Sequence, residues 1–246
     1  MIERIEGIVT DIVKYNDAHN VVTLYTRNRG RMAFLVPVGK SKTGRIRNAT
    51  LSLMAVVGTS VNIKEGKEMY TLRSVEPIKL WHAIYRSPVK SSVLFFIAEF
   101  CNRLLRQYPA DERLWTYLID SMNVLEKAPD KEISNFHITM LTGLLSVAGI
   151  SPVAYDWQPG DRFDMLSGEM VTADHPDFLR RRVLLSEEES RMLPKLGRIS
   201  YYNMTKFRFR REERQSLLDR LLEYYSIHLP IGREFKSLDV LRELFS

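Results

Sequence analysis

The chain has 246 residues, 45% hydrophobic and 27% charged, with a formal net charge of +6; that composition excludes a disordered chain and leaves room for two unequal globular domains. A single cysteine, Cys101, excludes an internal disulfide and any multi-cysteine zinc site within the chain. Residues 1–80 hold 13 Lys/Arg against 7 Asp/Glu, and residues 81–246 hold 23 against 23, which points to a basic part that meets a polyanion and a neutral part that meets proteins.

The opening MIERIEGIV carries charges and no apolar core, so it reads as no signal peptide. No stretch approaches the roughly 18 apolar residues of a membrane span. Residues 4–13 read as a strand, with Ile5, Gly7, Val9 and Asp11 on one face. Residues 20–26 and 31–37 read as two more, separated by the turn Arg27-Asn28-Arg29-Gly30. Pro37 and Gly39 stop the third strand, and residues 39–48 (GKSKTGRIRN) read as a polar basic loop. Residues 50–64 carry one or two strands, Gly66 marks a hairpin, and 70–75 reads as a last strand. Several short strands with no helical period predict a small closed β-barrel.

The pattern changes after Pro77. Residues 91–107 are apolar on nearly every side and predict a central helix; 111–127 and 131–149 predict two more, the last stopped by Gly149 and Pro152. Residues 150–185, with Pro152, Pro159, Gly160, Gly168 and Pro176, break the helical period around a small hairpin at about 163–171. Helices resume at Ser186, which has capping-box spacing to Glu189, and continue at about 208–228 and 237–245. The expected architecture is α+β: an N-terminal OB-fold β-barrel at 1–79, then a mostly α-helical domain at 80–246 with an irregular insertion at about 150–185.

Chemistry is mostly absent from the pattern. His19, His82, His137, His175 and His228 have no His or Cys neighbour at metal-ligand spacing and read as surface or capping residues. No catalytic residue, metal ligand or cofactor site is expected. Gly39-Lys40-Ser41 resembles the end of a P-loop, but Phe34 stands where the motif needs its first glycine, and no helix is expected after it. Asp161 and Asp164 read as solvated loop carboxylates, and Cys101, in the most apolar helix, as an inert buried thiol.

One stretch stands apart. Arg27, Arg29, Arg31, Lys40, Lys42, Arg45 and Arg47 fall in a run with no acidic residue between Asp17 and Glu65. Arg27, Arg29 and Arg31 alternate onto one face of a strand–turn–strand unit, and the following loop adds four cations, as a phosphate backbone requires. Phe34 reads as core; Tyr15 and Tyr25 read equally as core or as stacking platforms for bases. A second run, Lys206, Arg208, Arg210, Arg211 and Arg214, is interrupted by Glu212 and Glu213 and reads as a solvated helix face that could extend a DNA track.

Ordered motifs then carry a resemblance. Glu6-Gly7-Ile8-Val9, Val21-Val22-Thr23-Leu24-Tyr25-Thr26, Arg29-Gly30-Arg31-Met32, the Gly39–Lys42 loop and Leu72-Arg73-Ser74-Val75-Glu76 come first; Leu221-Leu222-Glu223-Tyr224-Tyr225, His228-Leu229, Arg233 and Lys236-Ser237-Leu238 come last. Together they resemble the RecO family of bacterial DNA-repair proteins over nearly the whole chain. Many members carry a four-cysteine zinc ribbon where this chain has residues 150–175 without a cysteine, so packing of Tyr155, Trp157, Phe163 and Met165 must hold the region instead. The resemblance implies a cytoplasmic, nucleoid-associated, non-enzymatic recombination mediator. Its partners would be single-stranded and double-stranded DNA, RecR and the single-strand-binding protein, with RecA loaded indirectly and no membrane involved. It implies annealing of complementary strands, which a basic face would assist by lowering their repulsion. The acidic, apolar-ended tail of the single-strand-binding protein would need an apolar groove with a cation at its rim, and Arg103, Arg106 and Arg113 lie near the apolar stripes of 91–107 and 111–127. Two rival readings remain open on the residues alone: a metal-dependent nuclease with a DNA-binding barrel, and a helical adaptor that binds no DNA.

Overall fold

A computed structural model describes residues 2–39, 41–64, 66–72, 74–106, 108–153, 157–176 and 183–244, without the side chains of Lys42, Thr43 and Leu244. The chain is α+β: a strand-rich N-terminal region, then helices. Two compact units divide it, one of residues 1–127 with 235–241, the other of 128–234 with 242–246.

In the first unit, β1 (Ile2–Lys14), β2 (His19–Thr26) and β3 (Gly30–Pro37) form an antiparallel meander. β4 (Val56–Asn62) returns antiparallel to β1, β5 (Met69–Thr71) lies parallel to β3, and β6 (Glu76–Lys79) completes the order β5-β3-β2-β1-β4-β6. β3 alternates inward, and its Met32, Phe34 and Val36 share a core with Val22, Leu24, Val57 and Val61, whereas β1, β2 and β4 also bury residues of their other face, among them Ile8, Tyr25 and Val56. This order suits an OB-type arrangement, which is itself partly open. The closed barrel expected from the strand count is not seen: among the described residues no ladder joins β5 to β4 or β6. β5 is three residues long and gives its one pairing edge to β3.

The segment expected as a basic loop is instead helix α1 (Lys42–Thr50). Ser41 caps it, its Oγ accepting from Gly44 N at 3.1 Å, and Arg47 sits in the last turn where the helix dipole favours a cation. A helix therefore does follow Gly39-Lys40-Ser41, yet Phe34 is wholly buried in the core, so no phosphate loop is formed. Gly39 and Gly44 touch: a Cβ on Gly44 would stand 2.6 Å from Gly39 Cα. Only two glycines allow the chain to fold back there.

The same unit contains α2 (His82–Arg86), α3 (Pro88–Leu104) and α4 (Glu112–Lys127). α3 buries Val93, Leu94, Phe96, Ile97, Ala98, Phe100, Cys101 and Leu104, as its all-round apolarity predicts, while Phe95 stays half exposed. Burial pushes the Cys101 thiol up to about 12, so it is not a nucleophile. Trp81 pins α2 to the sheet: its indole N–H donates to Met54 O at 2.7 Å. Met54, wholly buried, holds a left-handed φ of 60°.

In the second unit, α5 (Phe136–Val147) is buried on most sides, and Tyr225 of α7 (Arg211–His228) donates its hydroxyl to Leu141 O at 2.7 Å. The expected hairpin is β7 (Arg162–Asp164) with β8 (Glu169–Val171). Phe163 and Met165 are buried, Phe163 packs on Tyr224, and Trp157 Nε1 donates to Asp161 O at 3.0 Å. Tyr155 lies outside the described residues. α6 (Glu187–Arg198) starts with the predicted capping box, Ser186 and Glu189 each bonding the other's backbone. α8 (Leu238–Leu244) ends the described chain.

Two carboxylates and one histidine differ from expectation. Asp161 and Asp164 are buried, not solvated: Asp161 Oδ2 accepts from Gln158 N and Asp164 Oδ1 from Leu166 N, both at 2.9 Å, so they build local turns. His137 is no surface residue. It is 2% exposed in α5, and burial, with Arg214's positive charge second, pulls its pKa down to about 3.

Candidate nucleic-acid interface

The N-terminal cations whose side chains are described, Arg27, Arg29, Arg31, Arg45 and Arg47, divide between the start of β3 and the helix α1 that follows its end, the two ends of β3 lying about 20 Å apart for six extended residues. At the first end, Gly30 turns the chain at a φ of +67°; a Cβ there would press on Ala110 N at 3.1 Å and Tyr108 O at 3.2 Å, so the turn is held tightly against 108–110. Arg27 and Arg29 lie in this turn and not on a strand, and acids from elsewhere meet them. Arg27 makes a two-pronged pair with Glu112 at the start of α4, Nε to Oε2 at 2.8 Å, and sits 3.8 Å from Glu6. Arg29 grips Glu3, Nη2 to Oε2 at 2.6 Å. These hydrogen bonds pull the Glu112 and Glu3 carboxyls below the usual range. Arg31, the first outward residue of β3, is exposed and has no ion pair among the described residues.

At the other end lies α1. Arg45 is exposed and, among the described residues, without an ion pair, while Arg47 turns back, Nη2 donating to Pro37 O at 2.5 Å. Lys40 lies outside the described residues, as does the side chain of Lys42. The aromatic alternatives separate cleanly. Tyr25 is wholly buried; its hydroxyl donates to Pro109 O at 3.1 Å and accepts from Asp111 N at 3.0 Å, and burial above all raises it to about 12. Tyr25 is core, and so is Phe34, whereas Tyr15 is 65% exposed. Among the described residues no three of His, Cys, Asp and Glu are grouped to hold a metal ion, and no helix is long and apolar enough to cross a membrane.

Comparison with known proteins bears on this geometry. Residues 1–81 match the family model of the recombination protein O N terminal, and residues 86–239 that of the recombination protein O C terminal. Proteins named DNA repair protein RecO are similar over the full length. That of Bacteroides fragilis is 33% identical and that of Phocaeicola vulgatus 32%, each covering all of both chains; that of Porphyromonas gingivalis is 30% identical over 97% of each. The chain belongs to the RecO family.

In this RecO-family chain a groove of about 580 Å³ runs beside α3. Val13, Phe95 and Val240, all about half exposed, give it apolar walls. Arg103 lines it but is committed, paired with Glu99 at 2.7 Å with its guanidinium 4.2 Å from the Phe235 ring centre. Burial works to raise the Glu99 carboxyl; Ser237, the Lys236 N–H and Arg103 outweigh it and hold it low. Arg106 and Lys236 are exposed cations that line it. Arg113 is exposed on α4 and is not among the residues lining this groove. Sequence reading placed Arg103 and Arg106 near one apolar stripe; it had no signal for Val13 and Val240, which come from a strand and a helix distant in the chain.

Proposed function

We propose that this RecO-family DNA repair protein is a non-enzymatic recombination mediator. It binds single-stranded and double-stranded DNA through the strand-rich part, residues 1–79, anneals complementary strands and, with RecR, helps load RecA onto DNA coated with single-strand-binding protein. It works in the cytoplasm, at the nucleoid. One observation carries the DNA reading: the acid-free stretch 18–64 keeps Arg31 and Arg45 exposed, with no ion pair among the described residues, on a chain whose whole length matches this family. Lys40, Lys42 and Arg47 flank Arg45 in sequence. Arg27 and Arg29 join the site by exchanging carboxylates for phosphates, a small cost because exposed pairs are worth about 0–1 kcal/mol. Once two strands are held, their charges are partly neutralised and pairing follows without chemistry. The groove, lined by the cations Arg106 and Lys236, suits the acidic, apolar-ended tail of the single-strand-binding protein.

The test is affinity for a single-stranded oligonucleotide against salt. Neutralising Arg29, Arg31, Lys42 and Arg45 together should flatten the log–log slope by about 0.7 for each phosphate that no longer meets a cation. An unchanged slope overturns the site. In a second arm, Arg106→Glu should weaken binding of an acidic, apolar-ended peptide while leaving the oligonucleotide slope unchanged; undiminished peptide binding removes the groove from the proposal.

A further inference from the structure

The second compact unit has its own acid-free stretch. Between Glu189 and Glu212 lie Arg191, Lys195, Arg198, Lys206, Arg208, Arg210 and Arg211. Its last part is not the helix face that its charges suggested: α7 begins only at Arg211, and the backbone is extended at Phe207 (φ −82°, ψ 114°) and Arg210 (φ −64°, ψ 163°). Extended backbone sends alternate side chains to opposite sides. Phe207 and Phe209 turn inward and stack at 5.9 Å; Lys206, Arg208 and Arg210 turn outward and are exposed, with no ion pair among the described residues. Lys206 closes a single 3-10 turn (Met204–Lys206), and Arg208 and Arg210, at i and i+2 of the extended stretch that follows, stand about 6.6 Å apart.

The segment is built, not loose. Asn135, 3% exposed, donates both amide protons, to Met204 O at 2.9 Å and Phe207 O at 2.7 Å. Arg214 turns beneath it, donating to Asn135 Oδ1 at 3.3 Å and Phe209 O at 3.2 Å. Just ahead, the turn at 200–204 is closed by Asn203, whose Oδ1 accepts from Ser200 N at 2.7 Å and whose Nδ2 donates to Arg198 O at 2.9 Å. Tyr201 stacks on Phe136 at 5.4 Å, so its neighbour Tyr202 is thrust outward, 98% exposed. A fixed turn thus holds a bare phenol ring four residues ahead of the first of three outward-facing cations.

We infer that Tyr202 with Lys206, Arg208 and Arg210 forms a second contact for single-stranded nucleic acid, on the helical unit and separate from Arg31 and Arg45. A single strand offers a charge at every nucleotide and a π-face at every base, and this surface offers three outward-facing cations and one ring. An acidic peptide would use the cations but gain nothing from a stacking platform. The inference rests on the proposed DNA binding and adds a place to it.

The experiment uses the full chain and a fluorescent oligothymidylate titrated at several salt concentrations. Four proteins are compared: the parent, K206A/R208A/R210A, Tyr202→Ala and R31A/R45A. The triple variant should lower the slope by about 2, at about 0.7 per phosphate. Tyr202→Ala should weaken binding about tenfold with the slope unchanged, and should have no effect on a strand of the same length lacking bases. All of the substituted side chains are exposed, and far-ultraviolet circular dichroism checks the fold. If the parent ignores the oligonucleotide, the DNA reading and this inference fall together. If the parent binds, R31A/R45A flattens the slope and the triple variant does not, this inference alone is wrong. Equal weakening by Tyr202→Ala on strands with and without bases also overturns it, because the ring then does not stack.

Discussion

Two acid-free stretches of the chain, 18–64 and 190–211, each hold seven or more cations, and the fold treats those cations differently. In the first, Arg27 and Arg29 sit in a tight turn whose neighbours are β1 and α4, and those elements bring Glu3, Glu6 and Glu112 to them. In the second, a 3-10 turn and the extended segment after it, anchored by inward rings, leave Lys206, Arg208 and Arg210 with no carboxylate among the described residues. A charge run along the chain is thus a statement about sequence neighbours only. Whether it stays a charge run in space depends on which strands and helices pack beside it. What holds them differs as well: the first stretch includes strands β2 and β3 of the sheet, and the second is tied to buried Asn135 and half-buried Arg214.

The burial of His137, whose low pKa owes a smaller part to Arg214, sets the largest expected effect. His137 titrates near 3 in the folded chain and near 6.5 when unfolded. Above pH 6.5 both states are neutral there and stability is complete. Below it the unfolded chain takes a proton that the folded chain refuses, so stability falls as the pH drops toward 3, by about 3 kcal/mol between pH 6.5 and 4. Urea unfolding at these two pH values reads it, and His137→Leu should remove most of the difference; an equal pH dependence in that variant would show that His137 does not cause it. Next in size, Asn135→Ala strips the Met204 and Phe207 carbonyls of their buried donor and should cost about 2–3 kcal/mol. Unfolding at neutral pH measures it, and a cost under about 0.5 kcal/mol would mean that the second stretch is no better fixed than a loop. Smallest is Glu112→Ala, which removes Arg27's two-pronged partner and leaves it only the longer contact to Glu6. The substitution should leave stability nearly unchanged, because the pair is exposed and screened by solvent, yet steepen the salt dependence of oligonucleotide binding by about 0.7 if a phosphate takes the vacated place. An unaltered salt dependence would confine the first site to Arg31 and the α1 cations.

Much of the fold was legible because its signals are local. Face alternation marked β1, β-branched and aromatic content marked β2 and β4, all-round apolarity marked α3, and Ser186 with Glu189 marked the start of α6. α1 escaped because Lys42-Thr43-Gly44-Arg45 has almost no apolar period; its cap, Ser41, was the available signal. The open sheet escaped because pairing between strand edges is a long-range matter that strand counting does not address. At the site the cations were visible and their partners were not. Glu112 lies 85 residues from Arg27, and no spacing rule reaches that far. Tyr25 and His137 share the cause: an amphipathic ring reads the same in sequence whether its polar end meets water or a buried protein group.

Trp81 carries a consequence for how this sheet can be handled. Its indole N–H is the partner of Met54 O, and Met54 holds a backbone shape that side chains with a Cβ disfavour. Tyr85 and Tyr25 tie the same sheet to the helical segment, at Leu53 O and at Asp111 N. The strand-rich part is therefore a poor candidate for grafting. A transplant ending at residue 79 would carry every strand of the sheet and every N-terminal cation, yet would leave a buried carbonyl without its donor and a buried phenol without its two partners. Swapping this part between relatives should succeed only when the cut falls after α4 and residues 235–241 are exchanged with it, so that sheet, first helices and the returning segment travel as one inheritance.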